Sequence, residues 1–240
     1  MAATRPRRCH GHGHLTGVNM SKRTRIKICG LRTVEDIGAA VDGGADAIGL
    51  VFYPASPRHI EPAAAAALLA GLPPYVTVTG LFVNATPEEV GAVLRQVPVS
   101  LLQFHGDETP AECATLAEAL NRPFMRALRV TPDMQADDLL EYERNCRATG
   151  RHFSGLLLDA FVEGYGGGGK VFDWSLIPKE LAPRVVLSGG LNAQNAAEAV
   201  RQVGPYGVDV SSGVERAKGI KDPARIRDFI AAVRRADARP

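Results

Sequence analysis

The sequence predicts a closed (β/α)8 barrel, a single α/β domain in which eight parallel strands alternate with helices. From Arg25 onward, short runs of β-branched and aliphatic residues alternate with helical patterns. Several runs, such as AIGLVF and GLLLD, are apolar throughout, as strands buried on both faces of a parallel sheet are. Eight such units in about 220 residues fit the size of one barrel.

The elements can be assigned in order along the chain. Strands are predicted at 25–29, 47–52, 76–83, 100–104, 124–128, 155–159, 185–188 and 208–211, and helices at 34–42, 62–72, 87–96, 110–121, 134–148, 174–181, 193–203 and 223–235. Thr86-Pro87, Thr109-Pro110 and Asp222-Pro223 mark helix starts, because Thr or Asp caps the first turn and Pro fits its first position. A doubly wound open sheet is the alternative, but it would show fewer strands and one glycine-rich switch point.

Residues 1–22 are predicted to be a disordered leader, and residues 23–240 the barrel domain. The leader is rich in Arg, His and Gly and has no hydrophobic period, and we consider that translation starts at Met20. Its Cys9, His10, His12 and His14 could bind a metal ion, but short His-rich tracts in mobile tails usually hold no structural metal.

Composition narrows the function classes. A net charge of +2 gives no extended field for nucleic acid or an anionic membrane, and the longest apolar run, 63–72, is too short to cross a bilayer. The four cysteines are far apart and no apolar secretory segment begins the chain, so we expect a cytoplasmic protein without disulfides. The composition is still compatible with a local pocket that binds an anion.

The residues that end the last two predicted strands indicate a phosphate site. Ser188, Gly189 and Gly190 end strand seven, and Ser211, Ser212 and Gly213 end strand eight. Barrels commonly bind phosphate in these two loops, where backbone N–H groups beside a helix N-terminus face the anion. The glycines could alternatively serve only tight turns.

Two other strand ends carry groups that can transfer protons. Cys29 ends strand one before a glycine, and Asp159 ends the apolar run at 156–158. A buried cysteine is often inert, and a thiol must be partly ionised to act as a base. The carboxylate must meet water or a partner such as Lys170, so a structural role is open for both residues. Arg58 and His105 also follow strands.

The loop GYGGGGKVFDW, from Gly164 to Trp174, matches two nucleotide-binding patterns only weakly. Val171 stands where a phosphate-binding loop would need Ser or Thr for magnesium, and no helix opens directly after the glycines. We interpret this loop as a flexible flap over the barrel mouth.

Eight motifs follow one another along the barrel domain. They are KICGL at 27–31, GADAIGLVFYPASPRHI at 44–60, GLFVN at 80–84, LLQFHGDE at 101–108, LLLDA at 156–160, GGGGKVFDW at 166–174, LSGGLNAQN at 187–195 and VDVSSGVE at 208–215. Together they resemble the motifs of the phosphoribosylanthranilate isomerase family. Leu31-Arg32, where the family commonly has Thr, and Phe104, where Leu is usual, depart from its pattern without touching a proton-transfer group.

The resemblance implies a TIM-barrel isomerase of tryptophan biosynthesis that needs neither cofactor nor metal. It would convert N-(5-phosphoribosyl)anthranilate into 1-(2-carboxyphenylamino)-1-deoxyribulose 5-phosphate, an Amadori rearrangement of the aldose-ketose type. Cys29 would be the base and Asp159 the acid, and Arg58 would hold the anthranilate carboxylate through its planar fork. The remaining expected substrate-binding residues are His105, Gly189, Gly190, Asp209, Ser211, Ser212 and Gly213. We expect a monomer, with a homodimer as the alternative.

Two classes of alternative remain. Another phosphate-binding barrel would need a different set of residues: Lys and Glu for indole-glycerol-phosphate synthase, a His and Asp metal cluster for a ribose-phosphate epimerase, or Asp in place of Cys29 for the histidine-pathway isomerase. A non-catalytic binding barrel would keep the phosphate site but would tolerate loss of Cys29 or Asp159.

Overall fold

The eight predicted strands close into one parallel barrel. A computed structural model describes residues 23–161 and 171–238, and in it the strands follow one another around the barrel in chain order. The predicted leader lies outside the described residues, as do residues 164–170 of the predicted flap at 164–174. Each strand pairs in parallel with its neighbours, and the first strand pairs with the eighth, so the predicted fold class is confirmed.

The element bounds agree with the prediction to within a few residues at most ends. The barrel strands are β1 Arg25–Cys29, β2 Ala47–Val51, β3 Thr77–Phe82, β4 Leu101–Phe104, β5 Phe124–Val130, β6 Phe153–Ala160, β7 Val185–Leu187 and β8 Gly207–Val210. The helices are α1 Val34–Asp42, α2 Pro62–Leu69, α3 Pro87–Leu94, α4 Pro110–Ala119, α5 Ala136–Ala148, α6 Ala196–Val203 and α7 Pro223–Asp237. Two short strands after β8, β9 Glu215–Ala217 and β10 Ile220–Lys221, form an antiparallel hairpin.

The helix predicted at 174–181 was wrong. The chain instead forms one 3-10 turn within this segment, Trp174–Leu176, and a second directly after it, Ala182–Arg184. Pro178 lies in the middle of the predicted segment, and a proline has no N–H to donate to the carbonyl four residues earlier. The first turn therefore closes with a hydrogen bond between residues three positions apart, from Ile177 N to Trp174 O at 3.1 Å.

Helix capping follows the sequence signals. The side chains of Thr86 and Thr109 accept hydrogen bonds from the third residue of their helices, and Glu89 and Glu112 complete both capping boxes. Asp222 caps α7 by accepting from Ala224 N at 2.9 Å. Within the described part of the chain, no helix has both the length and the apolar character required to span a bilayer.

Side-chain alternation divides each strand between two environments. Ile26, Ile28, Leu156 and Leu158 belong to the large core between the strands and the helices. Residues of opposite parity point into the barrel, where Cys29 packs with Val51, Leu81 and Val83, and Leu157 packs with Met125 and Ala127. A polar residue two positions from Cys29 or Leu157 on the same strand therefore also points into the barrel.

Candidate active site

Cys29 is the last residue of the first strand and points into the barrel. The thiol is buried beside Val51, Leu81 and Val83, and it faces the backbone of Gly49 on β2. Burial raises the pKa of the thiol; Lys27 and Lys221 lower it and Asp209 raises it, so the net pKa lies above the ordinary value. The thiol is therefore mainly protonated at neutral pH.

Asp159 ends the interior face of β6 and has a protein partner. His105 Nε2 lies 3.1 Å from Asp159 Oδ2, and Gln103 Nε2 lies 3.1 Å from His105 Nδ1. All three side chains are buried. When the Gln103 amide donates to Nδ1, the imidazole carries its hydrogen on Nε2 and donates it to the carboxylate. The partner that the sequence required for this buried carboxylate is thus His105.

The loops after β7 and β8 have the backbone that an anion site needs. Gly189 and Gly190 have φ values of 82° and 66°, in the left-handed region that favours glycine. A β-carbon on Gly213 would lie 1.8 Å from the carbonyl oxygen of Leu191, so no larger residue fits there. Among the described residues, none accepts a hydrogen bond from the N–H groups of Gly190, Ser212 or Gly213. These donors are available for a phosphate group.

Arg58 lies in the site, but its planar fork is already bonded. Its Nε and Nη2 donate to the two carboxylate oxygens of Glu215 at 2.6 and 2.9 Å, and both side chains are buried. The expected use of the fork on a substrate carboxylate would therefore have to rely on Nη1 and the second hydrogen of Nη2. Burial raises the pKa of Glu215, but Arg58 and Lys221 together outweigh it, so the net pKa lies below the ordinary value.

Lys221 connects this pair to the last loop. Its Nζ donates to Glu215 Oε1 at 2.9 Å, to Ser211 O at 2.9 Å and to Ser211 Oγ at 3.1 Å. The Ser211 hydroxyl in turn donates to the carbonyl oxygen of Cys29 at 3.1 Å. Hydrogen bonds thus join the expected carboxylate-binding residue, the expected phosphate loop and the strand of the expected base.

The structure gathers the predicted residues at the carboxyl ends of the strands, and it adds four side chains to which the sequence analysis gave no role. Asp209, expected to bind substrate, accepts a bond from Lys27 at 2.8 Å, and His105, also expected there, lies between Gln103 and Asp159. The added residues are Lys27, Gln103, Glu215 and Lys221. A charged residue two positions before Cys29 in an apolar strand was a usable signal for Lys27.

Groups that can transfer protons and unbonded N–H donors within one barrel mouth are the features of a phosphate-binding (β/α)8-barrel enzyme. Comparison with known proteins narrows this class. The family model described as N-(5'phosphoribosyl)anthranilate (PRA) isomerase matches residues 26–232. The chain therefore belongs to the N-(5'-phosphoribosyl)anthranilate isomerase family.

Individual relatives agree with this assignment. The N-(5'-phosphoribosyl)anthranilate isomerase of Herminiimonas arsenicoxydans is 66% identical over 219 residues, which cover 91% of this chain and 96% of that protein. The crystal structure of phosphoribosyl anthranilate isomerase from Thermotoga maritima has a TM-score of 0.77 at 39% identity and covers 88% of this chain and 98% of that one. A structure of the enzyme in complex with reduced 1-(o-carboxyphenylamino)-1-deoxyribulose 5-phosphate has a TM-score of 0.74 at 37% identity, with the same coverage.

The loop after β8 gives the first testable prediction. We expect Gly213→Ala to weaken binding of inorganic phosphate by about tenfold or more, because the new methyl group would displace the loop from the Leu191 carbonyl. Isothermal titration calorimetry measures this effect. Gly71→Ala is the matched control, since a β-carbon at Gly71 meets nothing within 4 Å. Equal phosphate affinity in the two folded variants would contradict the assigned site.

Proposed function

We propose that this chain catalyses the Amadori rearrangement of N-(5'-phosphoribosyl)anthranilate to 1-(2-carboxyphenylamino)-1-deoxyribulose 5-phosphate, with Asp159 as acid and Cys29 as base. The observation that carries the proposal is the placement of these groups. They end the interior faces of β6 and β1, in a barrel whose β7 and β8 loops offer unbonded N–H donors. An acid and a base on different strands can act on different atoms of one bound sugar.

Asp159 begins the reaction by giving a proton to the ring oxygen of the ribose. The bond between that oxygen and C1 breaks, and the lone pair of the anthranilate nitrogen forms a protonated C1=N bond. His105 holds Oδ2 of the carboxyl group at 3.1 Å, which fixes its orientation and leaves Oδ1 for the substrate. Asp159 Oδ1 lies against the Gly189 backbone, where a β-carbon would come within 2.9 Å of it.

Cys29 completes the rearrangement by removing the C2 proton. The electrons of that C–H bond form C1=C2, and those of the C=N bond return to nitrogen. The resulting enolamine loses its C2 hydroxyl proton and gains a proton at C1, which gives the ketone. Over the whole reaction the substrate takes up two protons, at the ring oxygen and at C1, and releases two, from C2 and from the C2 hydroxyl group. The product is therefore an isomer of the substrate, and no oxidant or reductant is consumed.

The two ends of the substrate would be bound by different groups. The phosphate would be bound by the N–H groups of Gly190, Ser212 and Gly213. Gly189, Ser211 and the Ser212 side chain lie beside these donors and would complete the phosphate site. Arg58 would meet the anthranilate carboxylate with the guanidinium hydrogens that Glu215 does not use. Glu215 fixes the guanidinium plane, so this contact would require little ordering of the arginine when substrate binds.

We infer that residues 23–240 act as a monomer in the cytoplasm. A substrate that carries both a phosphate and a carboxylate group cannot cross a membrane unaided, and it would be made and used there. A structure of the related Thermotoga maritima enzyme is described as that of mutually generated monomers of a dimeric isomerase. Sedimentation at working concentration would show which state applies, and an active dimer that loses activity on dissociation would refute the monomer.

Replacing either proton-transfer group should abolish most turnover. We expect Cys29→Ala and Asp159→Asn each to lower kcat by about 10²- to 10⁴-fold with a small change in KM, because each removes a group that acts in the transition state. The assay follows the loss of fluorescence of the anthranilate substrate. Cys113→Ala and Asp228→Asn are controls that change the same residue types on the outer helices.

Two outcomes would contradict the proposal. If either variant turned over substrate near the wild-type rate, its assigned role would be wrong. If the folded wild-type chain bound substrate without turnover, it would be a binding barrel instead of an isomerase.

A further inference from the structure

Lys27 is a buried cation two residues before the proposed base. It lies on the same strand and the same face as Cys29, with only 5% of its surface exposed. A buried ammonium group is costly unless it is paired, and Lys27 Nζ donates to Asp209 Oδ1 at 2.8 Å. The two residues face each other directly in the pairing of β1 with β8. Asp209 thus fixes the position of the ammonium group.

Gly49 gives the ammonium group and the thiol room to approach each other. It is the residue of β2 that pairs with Cys29, and it also points into the barrel. A β-carbon on Gly49 would lie 2.8 Å from Cys29 Sγ and 3.1 Å from Lys27 Nζ. Both groups therefore stand against the same bare stretch of backbone, and any side chain at this position would have to displace at least one of them.

We propose that Lys27 is a positioning residue for the proposed base and that its ammonium group stabilises the Cys29 thiolate. Asp209 fixes the ammonium group, and Gly49 has no side chain that would separate it from the thiol. This inference rests on the proposed function, in which Cys29 removes the C2 proton. It assigns to the buried ion pair a role beyond the stability of the barrel. It also gives a reason for a lysine in the middle of β1, between Ile26 and Ile28.

The charges around the thiol have unequal effects. Three charged groups act on Cys29: Lys27 from its own strand, Asp209 from β8 and Lys221 from β10. The facing residues of β2 and β3, Val51 and Leu81, are apolar. After burial, which raises the pKa of Cys29, Lys27 has the largest effect and lowers it. The opposing effect of Asp209 is smaller, so the pair as a whole favours the thiolate.

Asp209 also keeps the lysine charged. Burial alone would lower the pKa of Lys27, but Asp209 and Cys29 outweigh it, and the net pKa lies above the ordinary value. Lys221 is a weaker source of the same effect, because its Nζ is bonded to Ser211 and Glu215. Lys27 is therefore the cation on which the reactivity of the thiol should depend most.

The test replaces Lys27 by an uncharged residue of similar length. In Lys27→Met the pKa of Cys29 should rise further, so the thiolate fraction near neutral pH should fall by about tenfold or more. Two readouts are followed against pH: kcat/KM, and the rate of iodoacetamide alkylation at the Cys29 peptide by mass spectrometry. We expect both to fall near neutral pH and to recover as the solution becomes alkaline. Lys179→Met, at an exposed position, should leave both unchanged.

The outcomes separate this inference from the proposed function. An equal loss of kcat/KM at every pH, with an unaltered alkylation profile, would make Lys27 purely structural and overturn the inference while Cys29 kept its role. Full activity in Cys29→Ala would instead overturn the function. If Lys27→Met does not fold, Gly49→Ala keeps every charge but separates the two groups, and the same losses are expected. An alkylation profile like that of the wild type in folded Gly49→Ala would refute the inference.

Discussion

The site depends on a single geometric constraint, the alternation of side chains along parallel strands closed into a barrel. Every second residue of a strand points inward, so Lys27 and Cys29 on β1 share one face, as do Leu157 and Asp159 on β6. The interior is small and mostly apolar, and each charge within it must find a partner there. Lys27 pairs with Asp209, and Asp159 pairs with His105. The chemistry is thus built from groups that the fold already forces together.

A second group of contacts joins the ends of the site. Glu215 is bonded to Arg58 and Lys221, Lys221 to Ser211, and Ser211 to the carbonyl of Cys29. The buried Glu215 carboxylate therefore fixes Arg58 directly and Ser211 through Lys221. These are residues proposed to bind the two ends of the substrate. Substitutions among these residues should not act independently, because each removes a partner of the next. The loss of Glu215 would leave two buried cations without their main counterion.

Much of this arrangement could be predicted from local sequence signals. Apolar runs gave the strands, Thr-Pro and Asp-Pro pairs marked helix starts, and strand ends located Cys29, Asp159 and the two glycine loops. The prediction was wrong at 174–181, where the helical pattern was given more weight than the proline within it. The partners of the site residues were harder to predict. Arg58 and Glu215 are 157 positions apart, and no local pattern indicates that the loop after β2 and the hairpin after β8 meet.

A crystal structure of this chain with reduced 1-(o-carboxyphenylamino)-1-deoxyribulose 5-phosphate would show whether Cys29 and Asp159 act on different atoms of one bound sugar. We expect the phosphate at the Gly190 and Gly213 amides, Cys29 Sγ within about 3.5 Å of C2, and an Asp159 oxygen within hydrogen-bonding distance of the C4 oxygen. The claim would be contradicted if the sulfur and the carboxylate met the same atom of the sugar, or if the analogue lay with neither group in contact.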